Sequence, residues 1–159
     1  MSFFDYPGEP SAPRDTVRLL ADATDQEWAV VLKHTRYRRF SPGETVLQAG
    51  ATDQSLFLVL EGEMEVLVPH GRRGHNRKIA SVGAGSVIGE LSFFDGAARS
   101  ALVRALTPVL LAELTPADFE LLAAASPSLA RRLLFDLGRI LAQRLRTVQA
   151  ASDSLAGAN

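Results

Sequence analysis

Short apolar runs, cut by glycine and other turn residues, fill the chain from Tyr37 to Leu114. The runs are TVLQAG, SLFLVLEG, EMEVLVP, KIASVG, SALVRAL and VLLAEL. Their turn signals recur at roughly 8–12 residues, a spacing typical of small all-β barrels and jelly rolls. Because no helices alternate with these runs, the pattern predicts a β-domain and not a doubly wound α/β sheet.

Helical patterns flank the β-rich region on both sides. Residues 14–34 are predicted to form a helix, in which Thr24 and Glu27 make a capping box. After the strands, Thr115 and Pro116 start a second helix, and Ser126 and Pro127 start a long third one. The fold class is therefore mainly β with flanking α: a jelly-roll-like barrel with an N-terminal helix and C-terminal helices. The predicted boundaries are an arm at 1–13, the domain at 14–125, the long helix at 126–150 and a flexible tail at 151–159.

Bulk properties narrow the classes of protein. The 159 residues, 47% of them hydrophobic, suffice for one packed domain, and the net charge of −1 provides no general attraction for nucleic acid or acidic membranes. The chain has no cysteine, which excludes disulfides and cysteine nucleophiles. Neither a membrane span nor a secretory signal is visible, so a cytoplasmic location is predicted.

The stretch SVGAGSVIGELSFFDGAARSAL, from Ser81 to Leu102, carries the strongest functional signal. Its glycines suggest a dinucleotide-binding turn, but Gly89 comes one residue late for the G-x-G-x-x-G spacing. No carboxylate stands near position 103, where the ribose would need one, and DGAAR interrupts any long crossover helix. The dinucleotide hypothesis therefore fails.

A single phosphate suits the same stretch better. Gly89 permits close backbone approach, and a short helix starting there directs its first N–H groups toward an anion. Arg99 returns from the DGAA loop with a guanidinium group suited to phosphate, and Glu90 can accept hydrogen bonds from a sugar hydroxyl. Together with the Ser100 hydroxyl, these groups form a cup for one phosphate attached to one ribose.

These residues resemble a known family. The segment GELSFFDGAARSA is similar to the phosphate-binding cassette of cyclic nucleotide-binding domains, as found in the catabolite activator protein and the regulatory subunit of protein kinase A. The resemblance extends from about Arg36 to Val148 through FSPGETVLQAG, LFLVLEGEMEVLV, VGAGSVIGE and LAELTPADFELLAAASP. It implies the β-roll fold of that family and a role as a cyclic nucleotide sensor.

The resemblance also implies roles for individual residues. Glu90 is expected to bind the ribose 2′-hydroxyl and Arg99 the equatorial phosphate oxygen. Ile88 departs from the family, where an aromatic residue is common at this position, and Ser100 is compatible with adenine or guanine. The implied ligand is cAMP, with cGMP possible, and no cofactor is expected. The implied binding residues are Gly89, Glu90, Leu91, Arg99, Ser100 and Ala101.

The C-terminal helix carries a second functional signal. Its apolar residues repeat at intervals of 3 and 4, as in a coiled coil, and Leu133 and Ile140 widen the seam into a face. The helix can pack on its own barrel, act as a lid over the base, or form a homodimer or another protein contact. Arg139, Arg144 and Arg146 are candidates for reaching the ligand or a partner. The seam residues are Leu134, Leu137, Leu141, Leu145 and Val148.

Catalysis and metal binding are not predicted. The histidines at 34, 70 and 75 lack the H-x-H pattern of a metal-binding cupin, and no reactive triad or carboxylate pair stands out. The basic segment PHGRRGHNRK is interpreted as a solvated hairpin loop or, alternatively, as a docking site for a partner or polyanion. It lacks aromatic residues for stacking on bases.

The sequence as a whole predicts a non-enzymatic sensor that binds a cyclic nucleotide and repacks its C-terminal helices against a protein partner. Only nine residues follow Ala150, too few for a DNA-reading module, so neither a DNA nor a membrane partner is expected. Two alternatives remain. The chain is a degenerate, nucleotide-independent interaction module, or it is the sensor domain of a longer transcription regulator or channel.

Overall fold

A computed structural model describes residues 18–157 of the chain. The predicted arm at 1–13 lies outside this range. In chain order, the elements are α1 (Asp25–Lys33), β1 (Arg36–Phe40), β2 (Thr45–Leu47), β3 (Leu56–Glu61), β4 (Glu63–His70), β5 (His75–Gly83), β6 (Val87–Ile88), α2 (Glu90–Asp95), β7 (Leu102–Ala105), β8 (Val109–Leu114), α3 (Pro116–Ala125) and α4 (Pro127–Ala156).

The eight strands form two antiparallel four-stranded sheets. One has the order β1-β8-β3-β6 and the other β2-β7-β4-β5. This arrangement confirms the mainly β fold with flanking helices, and each of the six predicted runs contains a strand. The sheets remain separately hydrogen-bonded, so the predicted barrel is an open β-roll and not a closed cylinder.

The apolar core has two parts. One part lies between the two sheets. It is formed by side chains of both, among them Met64, Val66, Val103 and Leu111. The second packs α1, α3 and α4 against the β1-β8-β3-β6 sheet. The short helix α2 follows the edge strand β6, so its residues lie where the β-roll meets α4.

The predicted helix at 14–34 is wrong over residues 18–24, where the structure has a turn at 19–22 and α1 begins only at Asp25. Residues 14–17 of that prediction lie outside the described range. The capping box is present: the Glu27 N–H donates to Thr24 Oγ1 (3.1 Å), and the Thr24 N–H donates to Glu27 Oε2 (2.9 Å). Because an N-cap residue has an extended backbone, Thr24 starts a helix and cannot lie inside one.

The long helix α4 has two faces. Leu133, Leu137 and Ile140 are buried against the β-roll, whereas Leu134 and Leu145 are exposed. Leu137 therefore belongs to the core and not to the predicted seam. The helix also continues to Ala156, through residues predicted as a flexible tail, because the alanines and Leu155 there favour helix.

Charged contacts tie α4 to the segment before α1. Arg132 donates to Glu27 Oε1 (2.6 Å) and to Asp22 Oδ1 (3.1 Å). The hydrogen bond from Arg132 lowers the pKa of Asp22. The pKa of Glu27 is lowered by the Thr24 backbone N–H and then by Arg132. The Leu20 N–H donates to Asp136 of α4 at 2.9 Å. Across residues 18–157, no helix is both long and apolar enough to cross a membrane.

Candidate phosphate-binding site

Gly89 occupies a position that only glycine fits. It joins β6 to α2 with a left-handed backbone, φ +79°. A Cβ added there would lie 2.6 Å from Arg99 Nη1 and 2.7 Å from the Ser55 carbonyl oxygen. The missing side chain therefore serves two purposes: it permits the positive φ, and it lets the guanidinium group of Arg99 reach the backbone.

Arg99 is buried and held from several sides. Its Nη1 donates to the Gly89 carbonyl (2.9 Å), and its Nη2 donates to Asp53 Oδ2 (2.5 Å) and the Ser55 carbonyl (2.7 Å). Its backbone is also fixed, through hydrogen bonds to Gly50 and Ala51. The guanidinium group is thus placed before any ligand arrives.

One donor of this guanidinium group has no partner. Arg99 Nε is buried and donates to no acceptor in the part of the chain that the structure describes. A buried N–H without a partner costs on the order of 1–3 kcal/mol. An anion beside Nε would remove this cost and would find the donor already oriented.

Glu90 is buried at the start of α2 and pairs with the C-terminal helix. Arg144 Nη1 of α4 donates to Glu90 Oε1 at 2.7 Å, and both side chains are only 7% exposed. The sequence left Arg139, Arg144 and Arg146 as candidates for reaching the ligand or a partner. Arg144 contacts Glu90, whereas Arg139 is exposed and lies beside Asp136 at 3.3 Å.

A cavity of about 270 Å³ connects these groups. All six residues predicted for the site line it. Its apolar walls come from β2, β4, β5, β6 and β7. The lining residues from the prediction are Gly89, Glu90, Leu91, Arg99, Ser100 and Ala101, and we call this set the cup. A small pocket with apolar walls and a few convergent polar groups is typical of small-molecule sites.

Sequence reasoning missed Asp53 and could not single out Arg144. Asp53 lies 46 positions from Arg99 and is half-exposed, and its segment ATDQ has no motif that indicates an arginine partner. The Arg144–Glu90 pair spans 54 positions. No local pattern could have identified either pair, since both depend on how distant segments pack.

The described part of the chain has no group of metal ligands beside the cup. Within residues 18–157, no three histidine, aspartate or glutamate side chains are grouped closely enough to hold a metal ion. A larger cavity of about 540 Å³ borders Arg144, Trp28 and Leu20, but none of the six residues of the cup lines it.

A protein-family model matches more than half of this chain. The family model described as the cyclic nucleotide-binding domain covers residues 37–126. The matched region runs from β1 to the C-terminal cap of α3 and includes the whole cup.

Individual relatives are longer proteins. Glutaminase 2 of Bradyrhizobium diazoefficiens is 34% identical over 137 residues, which are 86% of this chain and 21% of that protein. The cAMP-activated global transcriptional regulator CRP of Salmonella typhimurium is 29% identical over 116 residues, 72% of this chain and 54% of that one. The chain thus spans between about a fifth and about a half of these relatives.

A solved structure shares the fold. The catabolite activator protein of Thermus thermophilus superposes with a TM-score of 0.77 at 28% identity, and the match covers 87% of this chain and 62% of that one.

Proposed function

The chain belongs to the cyclic nucleotide-binding domain family, and on that premise we propose that it is a cAMP sensor. The cup binds one cyclic nucleotide without transforming it. The bound state is passed on through α4 to a protein partner. cGMP is the alternative ligand, because Ser100 of the cup is exposed and its hydroxyl suits either base.

The unpartnered Nε of Arg99 is the observation that carries this proposal. The other hydrogen bonds of the guanidinium group are made within the chain, to Asp53, Ser55 and Gly89. Arg99 lines a cavity with apolar walls, and its buried Nε makes no hydrogen bond with residues 18–157. A cyclic phosphate has one negative charge and exposed oxygens, which match a single oriented, buried donor.

Glu90 supplies the second contact. Its carboxylate lies in the same cavity as Arg99 and can accept a hydrogen bond from the ribose 2′-hydroxyl. It also accepts from Arg144 of α4 (2.7 Å). Glu90, the proposed ribose-binding residue, is therefore in direct contact with α4, the helix that we expect to change position on binding.

This contact suggests how ligand binding alters the exposed face of α4. A ligand on Glu90 changes the hydrogen bonding of Arg144, and Arg144 lies on the same helix as the exposed apolar residues of α4. If the ligand prefers one position of α4, binding shifts the population toward that position. The size of the shift cannot exceed the difference in ligand affinity between the two states.

Calorimetric titration tests the ligand. cAMP and then cGMP are titrated into protein that has been unfolded and refolded to remove any co-purified nucleotide. We expect one-to-one binding at micromolar affinity or tighter, on the order of 8 kcal/mol. The ratio of the two affinities decides the base preference. No heat and no thermal stabilisation with either nucleotide would contradict the proposal.

Gly89→Ala is expected to lower both stability and affinity for cAMP. The strained backbone costs about 1–3 kcal/mol in the free energy of unfolding, and the new Cβ pushes on Arg99 Nη1. We expect affinity to fall about tenfold or more, which is about 1.4 kcal/mol. Thermal unfolding and titration measure the two effects.

Gly85→Ala is the matched control. Gly85 also has a positive φ, +88°, but a Cβ there meets no atom within 4 Å. The Gly85→Ala variant should therefore lose stability and keep its affinity for cAMP. Equal losses of affinity in the two variants would show that backbone strain, and not the approach of Arg99, is responsible.

We further propose that the protein partner is a second copy of this chain. One row of residues on the outward side of α4 repeats at intervals of 4, 3, 4, 3, 4 and 3 and contains no charged residue. This is the heptad spacing along which two helices pair. A Cβ added at Gly138 would meet no neighbouring atom within 4 Å, so this position leaves room for close approach of the partner helix. These residues, which we call the α4 stripe, are Leu134, Gly138, Leu141, Leu145, Val148, Ser152 and Leu155.

Leu145→Lys is expected to convert a dimer to a monomer. Two lysines would meet across the pair, and the lost burial of two leucines weakens dimerisation about a hundredfold or more. Light scattering coupled to size exclusion measures the mass. Ala150→Lys, on the opposite side of α4, adds the same charge and should remain dimeric. A monomeric unaltered protein at tens of micromolar would contradict this part of the proposal.

The chain spans only part of the length of its relatives, which favours the alternative that it is the sensor domain of a longer protein. It spans 54% of the transcriptional regulator and 21% of the glutaminase. The same cup then serves as the sensor of a longer protein, whose further domains receive the movement of α4. A nucleotide-independent interaction module is the other alternative, and the titration above separates it from both sensors.

A further inference from the structure

The cup has no net charge to attract its ligand. Its two charged residues, Glu90 and Arg99, are each paired with a group of opposite charge, Arg144 and Asp53. Two carboxylates and two guanidinium groups sum to zero. The whole chain carries a formal charge of −1, so it offers no general attraction for an anionic nucleotide either.

Uncompensated positive charge lies on the neighbouring hairpin. Residues 66–89 contain three arginines and one lysine and no aspartate or glutamate. The β4–β5 hairpin projects from the roll, with residues 69–77 exposed. Among residues 18–157, none forms an ion pair with Arg72, Arg73, Arg77 or Lys78.

The register of the hairpin decides which of these charges faces the cup. Val66 and Val68 of β4 line the cavity, as does Ile79 of β5. Arg77 is the direct cross-strand partner of Val68. Paired residues share one face of a sheet, with Cβ atoms about 4.5–5.5 Å apart, so Arg77 lies on the cavity side.

The same face continues outward to two histidines. His70 lies two residues beyond Val68, about 7 Å along the strand, and is paired with His75. Lys78 lies on the opposite face, because its partner is Leu67, which does not line the cavity. We call His70, His75 and Arg77 the inner hairpin face.

We propose that the inner hairpin face is an encounter surface for anionic nucleotides, with Arg77 as its principal charge. This face attracts the nucleotide phosphate, which then moves along Val68 into the cup and binds to Arg99 Nε. This inference rests on the proposed function. It adds a role in the rate of binding for residues that do not hold the bound ligand.

Stopped-flow binding of a cAMP analogue with a fluorophore at C8 tests the inference. Arg77→Glu is expected to lower the association rate constant about tenfold at 0.01 M salt. The difference should shrink as salt rises, since charges are screened beyond about 8 Å at 0.15 M. The dissociation rate constant should remain essentially unchanged, as is usual for charges at the rim of a site.

Lys78→Glu is the matched control, because it makes the same change of charge one residue away on the other face. At 0.1 M salt its association rate constant should clearly exceed that of Arg77→Glu. Equal rate constants in the two variants, or faster dissociation of Arg77→Glu without slower association, would overturn the inference while leaving the cAMP sensor intact. Failure of the unaltered protein to bind would overturn both.

Discussion

Arg99→Leu is expected to lower the affinity for cAMP by about thirty- to several-thousand-fold, which corresponds to about 2–5 kcal/mol. The reason is the loss of the only charge in the cup that is placed to meet a phosphate. Arg99 is buried, its Nε finds no acceptor among residues 18–157, and the nearby carboxylate of Asp53 would remain to repel an anion. Calorimetric titration measures the change.

The same substitution removes structural hydrogen bonds, so its controls must separate folding from binding. Arg99 donates to the carbonyl groups of Gly89 and Ser55, and thermal unfolding will report their loss. Arg104→Leu removes another paired arginine, but one that is exposed and contacts Glu65 away from the cup. It should keep its affinity.

Glu90→Gln gives the second comparison. An amide oxygen still accepts a hydrogen bond from the ribose, so this variant should lose less affinity than Arg99→Leu. If the loss at Arg99 were equal to or smaller than the loss at Glu90, the roles assigned to phosphate and ribose contacts would be wrong.

Arg144→Met is expected to destabilise the fold by about 3–5 kcal/mol at neutral pH, because it leaves the carboxylate of Glu90 buried without its partner. Both side chains of this pair are 7% exposed, so the carboxylate left behind would be poorly solvated. Chemical denaturation measures the free energy of unfolding. The methionine keeps much of the volume of the arginine stem, which limits the loss of packing.

A double-mutant cycle assigns this loss to the pair. Glu90→Gln combined with Arg144→Met has no uncompensated buried charge and should be clearly more stable than the sum of the single changes predicts. Arg139→Met, on the exposed side of the same helix, should change stability by no more than about 0.5 kcal/mol. Additive effects in the cycle would mean that Arg144 acts through packing and not through Glu90.

Local patterns predicted most of the fold. Six strands follow runs of apolar residues, and Thr115 and Pro127 mark two helix starts where the structure has them. The first helix was predicted to include residues before Thr24, but it begins only at Asp25. Two strands were not predicted. β1 reads RYRRF and has four exposed residues out of five, so it lacks the alternation of a half-buried strand. β6 has only two residues, too few to show a period.

The sequence by itself determined six of the eight strands described and the glycine turn. Its resemblance to a known family implied the six residues of the cup, which lie within 13 positions of each other, from Gly89 to Ala101, so the motif that carries them is local. Tertiary structure alone decided that Asp53 neutralises Arg99, that Arg144 reaches Glu90, and that Leu137 is core while Leu145 is exposed. The chain has 17 basic and 18 acidic residues, and any of them can pair in principle. Only the packing of distant segments brings a particular pair within hydrogen-bonding distance.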